Sequence, residues 1–189
     1  MVAGGAAEAA AAPPPPPIRV RPLPAAGPRL SPPGRPFSFE VPRRFTRSHV
    51  ARGWVATPAG RRRRWQASVA HRGAVRGRPD AVVVTMTRLR RALGPLPARR
   101  VRIELAGAVG RRLHAWNRRV SSPRGLRLAG QPAIRFRVAR RTRGGRLVVG
   151  DEYFALGRRW ILRVSCSWTV HPRATLGACE RVKRSLRIG

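Results

Sequence analysis

Residues 153–168 read YFALGRRWILRVSCSW. After a glycine turn the chain alternates, with Trp160, Leu162, Val164, Cys166 and Trp168 on one side and Ile161, Arg163, Ser165 and Ser167 on the other. A repeat of two is what a β-strand with one face in a core requires. The apolar side is too continuous for a sheet edge, and its two tryptophans need a covering layer. The stretch therefore predicts the central strand of a small sheet.

Its neighbours build that sheet outward. PAIRFRVARR (132–141), LVVGDEYFAL (147–156) and RRWILRVSCSW (158–168) are joined by the short glycine-containing links TRGG and GRR, which predicts an antiparallel meander. Downstream, HPRATLGACERVKRSL (171–186) reads as a helix from Pro172, with Leu176, Cys179, Val182 and Leu186 on one side. Upstream, FSFEVP (37–42) alternates as a strand that Pro42 stops. Val50 to Thr57 gives a second strand with Trp54 in the core, Arg61 to Arg64 a surface hairpin or loop, and WQASVAH (65–71) a third strand. β-branched residues crowd Val82 to Thr87 into a fourth. Between Pro97 and Arg119 the period changes, and Val101, Leu105, Val109, Leu113 and Trp116 form one helical stripe about 33 Å long. Ser121 to Gly125 turns the chain into the meander. Several strands, a long helix, three strands and a short helix make an α+β sandwich, an antiparallel sheet packed by a long central helix and a C-terminal helix.

Residues 1–36 are built from alanine, proline and glycine, with five consecutive prolines from Pro13 to Pro17. Such a segment lacks the apolar side chains that offset backbone ordering, so it is expected as a disordered tail ahead of one domain at 37–189.

The chain carries 41 basic residues against seven acidic ones, a formal charge of +34, and Lys183 is the one lysine. Such a field attracts phosphate backbones or anionic surfaces. A composition rich in Ala, Gly, Pro and Arg throughout also explains much of it without a binding role. The densest clusters, Arg61, Arg62, Arg63, Arg64, Arg140, Arg141 and Arg143, mark a candidate anion-binding surface. No helix-turn-helix, zinc-finger or RNA-binding signature accompanies them.

Other chemistry is thin. The four histidines, His49, His71, His114 and His171, lack metal-ligand spacing, and no Walker loop, dinucleotide fingerprint or nucleophile elbow occurs. Asp151 and Glu152 are adjacent, so on a strand they face opposite sides; one is expected solvated among arginines and the other paired to the next strand. The expectation is no enzyme, no cofactor and no metal. No run of 18 apolar residues spans a membrane, and no signal peptide is evident, so the default location is the cytoplasm.

The order FSFEVP, AVVVTMT with a long helix, GLRLAGQPAIRFRVAR, DEYFALGRRWILRVSCSW and VKRSLRI resembles the PsbP/Mog1/DcrB-like superfamily, and within it the small actinobacterial proteins of the LpqN and DcrB type. The resemblance covers Phe37 to Ile188 through packing motifs. It implies a Mog1/PsbP-like sandwich that binds other proteins or envelope components and is not an enzyme. It also implies Gly130 to Ala133 as the turn into the meander, Tyr153 and Phe154 as aromatics of its middle strand, and Ser185 to Ile188 as the closing strand or helix end. Relatives of this type are commonly exported or lipid-anchored, whereas no lipobox cysteine or hydrophobic leader is seen here, which puts location in doubt. The expected function is thus a non-enzymatic binding or structural role through protein or cell-envelope contacts, with nucleic-acid binding through the arginines as the alternative.

Cys166 and Cys179 point into the same layer, so two readings stay open: a pair of small buried hydrophobes, or an inter-element disulfide. The cytoplasmic default favours free thiols; a disulfide would fit the exported habit of the resembled family and would signal an exported or envelope-associated protein.

Overall fold

The computed structural model describes residues 27–57, 60–74, 79–94, 97–115, 119–142 and 145–189. Its elements run β1 (Arg29–Leu30), β2 (Phe37–Glu40), β3 (Phe45–Thr57), β4 (Gly60–His71), β5 (Ala81–Arg88), α1 (Ala98–Ala115), β6 (Arg119–Val120), β7 (Arg124–Leu128), β8 (Gln131–Arg141), β9 (Leu147–Leu156), β10 (Trp160–Trp168), α2 (Pro172–Ser185) and β11 (Arg187–Ile188). The main antiparallel sheet has the order β3-β4-β5-β10-β9-β8-β6, with β7 also pairing β8; a small sheet has the order β1-β2-β11.

As the alternation predicts, β10 is central, bonded to β5 on one side and β9 on the other. Leu162, Val164 and Cys166 are fully buried, and across the sheet they meet Val82, Val84, Ala67 and Val69. The covering layer comes from α2, through Ala178, Cys179 and Val182, and from β2, through Phe37 and Phe39. Burying that much apolar surface in one layer is the main stabilising contribution to the domain. A second core lies on the sheet's other face, where Val101, Leu105 and Leu113 of α1 pack on Ile134, Phe136, Val138 and Phe154. The result is an α+β fold of an antiparallel sheet with one helix on each face.

The differences from expectation are local and have causes. The long helix is shorter than the apolar stripe, because the chain re-enters the sheet at Arg119 as β6; Trp116 lies outside the described residues. Of the hairpin or loop expected at Arg61–Arg64 the structure has the hairpin, the run lying in the first half of β4 and paired residue by residue with β3. Trp54 is not in the core: it is 58% exposed. Ordered chain also begins before Phe37, since Arg29–Leu30 pairs with β2 and Leu30 joins the core; of the tail, residues 1–26 lie outside the described residues. The turn implied at Gly130 to Ala133 sits earlier, as a tight β7–β8 hairpin with Ala129 and Gly130 both at positive φ (47° and 76°), the backbone that favours two-residue hairpin loops, while Gln131 to Ala133 already pair within β8.

Candidate functional site: an arginine-rimmed groove

A sheet of eight strands cannot be covered by one helix, and α1 sits over β8, β9 and β6. On that face, among the described residues, the β3-β4-β5-β10 half has no helix of its own, leaving a notch beside the edge of α1. The notch is a cavity of about 370 Å³, inside the size range of small-molecule sites. Its apolar surface comes from Val55, Leu105, Val109, Leu113, Phe154 and Ile161. Arg62, Arg64, Arg88, Arg112 and Arg163 supply the cationic lining, with Thr85 and Thr87 between them, and among the described residues no acidic one lines it.

Period-2 geometry decides which arginines arrive there. Within Arg61–Arg64, Arg62 stands opposite Val55 and Arg64 opposite Gly53, on the groove face. Arg61 and Arg63 point to the other face, where their guanidinium carbons lie 5.9 and 5.5 Å from the ring centre of Trp54. Arg163 reaches the groove from β10 on the side opposite Leu162 and Val164, and is tied to buried Glu152 by two 2.8 Å hydrogen bonds from Nε and Nη2. Burial pulls the Arg163 guanidinium down, but the hydrogen bonds and charge of Glu152 push it up by more, so the net shift is upward and it stays cationic.

The remaining arginines of the expected surface do not join this site. Arg140 and Arg141 close β8, four strands from β4; tracing the register through Thr87, Ile161 and Leu156 to Val148 also places them at the other end of the sheet. The two clusters are about 30 Å apart. Arg140 lines a smaller cavity of about 200 Å³ that meets the groove only at Arg163, Arg141 donates to the Gly145 carbonyl at 2.9 Å, and Arg143 lies outside the described residues. A broader and more open depression of about 830 Å³ lies along β1, β2 and β11, with Arg29, Arg35, Arg47 and Arg187 on its lining.

The carboxylates are absorbed by structure. Asp151 and Glu152 do face opposite sides, but neither is solvated: both are buried, Asp151 paired with Arg135 (2.7 Å) and Arg137 (3.0 Å), Glu152 with Arg163. The Asp151 hydrogen bond pushes the Arg137 guanidinium up against the opposing effect of its own burial. Asp80, which no motif signalled, is fully buried and accepts backbone N–H groups from Thr169, Val170 and His171, fixing the turn between β10 and α2. His71 and His171 stack at 4.2 Å between ring centres, and His71 Nδ1 accepts from the Gly73 N–H. Among the described residues no group of three or more metal-ligating side chains converges.

Beyond Asp151 lies Tyr153, the chain's single tyrosine, buried under Lys183 of α2, whose Nζ is 4.2 Å from the ring centre. Burial pushes its phenol above the ordinary value of 10.0, with Lys183 opposing. Native protein titrated at 295 nm is expected to ionise this tyrosine only above the pH at which the unfolded chain does. The neutral form is the one folding favours, so stability falls as pH rises past the unfolded value. Coincident native and unfolded curves would contradict the buried placement.

No protein-family model matches the chain, and no curated protein matches it. Solved structures with a similar fold include LpqN of Mycobacterium tuberculosis, described as involved in cell envelope biogenesis: 10% identity over 86% of this chain and 84% of that one, TM-score 0.45. They also include the cyanobacterial PsbP protein CyanoP from Synechocystis sp. PCC 6803, at 13% identity over 87% and 94%, TM-score 0.48. A third is the Ran-binding protein Mog1p of Saccharomyces cerevisiae, at 10% identity over 85% and 94%, TM-score 0.45. These are proteins of the kind the sequence resembles, and the likeness is one of fold.

The cytoplasmic default, with its two free thiols, is corrected. Cys166 and Cys179 form a disulfide with their α-carbons 6.0 Å apart, because α2 folds back on β10. Glutathione and thioredoxin keep such pairs reduced in the cytosol, whereas exported proteins retain them. Among the described residues no helix is long and apolar enough to cross a membrane.

Proposed function

We propose that this domain is a non-catalytic binding protein of the cell envelope that takes an anionic amphiphile in the groove between α1 and the sheet. One observation carries the reading: the groove joins an apolar surface to five arginines without an acidic residue. Apolar surface takes an acyl chain or similar body, and guanidinium groups pair geometrically with a phosphate or carboxylate head. A neutral apolar ligand would make no use of the guanidinium donors, and a small free anion would leave the apolar surface wet. Nucleic acid is the rival, supported by the charge and by exposed Trp54 between arginines. Against it stand the separation of the arginine clusters across the sheet and a disulfide that belongs to a compartment outside the cytosol.

The test is equilibrium binding of monomeric dodecyl phosphate, compared with uncharged dodecyl maltoside and with inorganic phosphate. The proposal expects dodecyl phosphate to bind tightest, and Arg64→Glu to weaken it by about tenfold or more, the effect of losing one charge-assisted hydrogen bond. Equal binding of all three, or an Arg64→Glu protein indistinguishable from wild type, would overturn it.

A further inference from the structure

The β3–β4 hairpin outruns the sheet it belongs to. β4 pairs with β5 only from Arg64 to Ala70, whereas its pairing with β3 continues to Gly60. Residues 60–63 and their partners 54–57 therefore form a two-stranded arm, about 13 Å of ribbon bonded to no third strand. Exposed ribbon of this kind is a liability unless it has a use or a guard. Its sequence is also distinctive: WVATPAG (54–60) carries no charge, the next four residues are arginines, and no acidic residue occurs between Glu40 and Asp80.

We propose that this arm docks the protein onto an anionic phospholipid bilayer. Trp54 is 58% exposed on one face of the arm, opposite Arg63 and diagonal to Arg61. An indole seats at the level of lipid headgroups, where its ring is in the apolar boundary and its N–H in the wet layer. The arginines beside it meet lipid phosphates at the same depth. The arm's other face presents Val55, Arg62 and Arg64 to the groove. Docking thus sets the groove beside the surface from which an amphiphile leaves a bilayer. This deepens the amphiphile reading but rests on different residues, since Trp54, Arg61 and Arg63 do not line the groove.

The arm could equally stack single-stranded nucleic acid on Trp54, so the experiment separates the two. The full chain is sedimented with vesicles of phosphatidylglycerol and phosphatidylcholine, with vesicles of phosphatidylcholine alone, and titrated with a single-stranded oligonucleotide, all at about 0.15 M salt. Wild type is expected to bind the anionic vesicles and not the neutral ones. Trp54→Ala, and Arg61→Gln with Arg63→Gln, are each expected to lower that binding about tenfold or more, while monomeric dodecyl phosphate binds all three proteins alike. The retained dodecyl phosphate binding reports an intact fold and separates failure of the arm from failure of the groove. Vesicle binding that ignores lipid charge, or that both variants leave unchanged, overturns the proposal. So does oligonucleotide binding tighter than vesicle binding and lost in Trp54→Ala, which would make the arm a nucleic-acid platform.

Discussion

Replacing Asp80 with alanine is expected to cost about 3 kcal/mol of folding stability, a fall of roughly 10 °C in melting temperature. The carboxylate is fully buried, and Oδ1 accepts the Thr169 N–H at 3.1 Å and the His171 N–H at 2.9 Å, with the Val170 N–H at 3.3 Å between them. Those three amides lie where β10 ends and α2 begins, a turn that no ladder or helix bond satisfies. His171, at the helix N-cap, makes no side-chain cap of its own. Alanine leaves the donors orphaned in a closed turn, and each buried unsatisfied group is expensive. Asparagine keeps one acceptor oxygen, so Asp80→Asn is expected to lose roughly half as much. Thermal unfolding of the three proteins ranks them; equal melting temperatures would show that the turn is held by something else.

The second large effect concerns the bond that changed the account of location. Cys166 and Cys179 close a loop across the same β10–α2 turn, at a sequence separation of 13. Crosslinking a loop of that size restrains the unfolded chain by about 3 kcal/mol. Replacing both cysteines with serine is expected to lose about that much, while alanine at both sites avoids burying hydroxyls and loses less. Thiol counting on unfolded, non-reduced protein checks the chemistry directly: no reactive thiols are expected, and two would restore the free-thiol state. Asp80 and the disulfide brace one turn, so their losses are expected to be non-additive.

Where the sequence was legible, a strong period stood alone. The alternation from Trp160 to Trp168 gave the central strand, and the stripe Leu176, Cys179, Val182 gave α2, because each residue type was sorted by face. The four arginines of β4 defeated the same reasoning. A run of one residue type has no visible period, so nothing showed that Arg62 and Arg64 turn to the groove while Arg61 and Arg63 turn to Trp54. Trp54 was assigned to the core because large aromatics usually lie there; its exposure follows from the arm outrunning β5, a length mismatch that only pairing reveals. Asp80 followed a glycine- and arginine-rich loop and belonged to no motif, since its partners are 89 to 91 residues away. β1 hid among prolines, being two residues whose only strong signal is Leu30.

The groove itself could not be read from the chain, since its lining comes from β3, β4, β5, α1, β9 and β10. Photo-crosslinking tests it most directly. A phosphorylated alkyl chain bearing a terminal diazirine, irradiated with the folded protein and mapped by mass spectrometry, is expected to label Leu105 to Leu113 and the Thr85 to Leu89 segment, with excess dodecyl phosphate competing the label away. Label confined to the β1-β2-β11 depression, or spread over the surface without competition, would contradict the account.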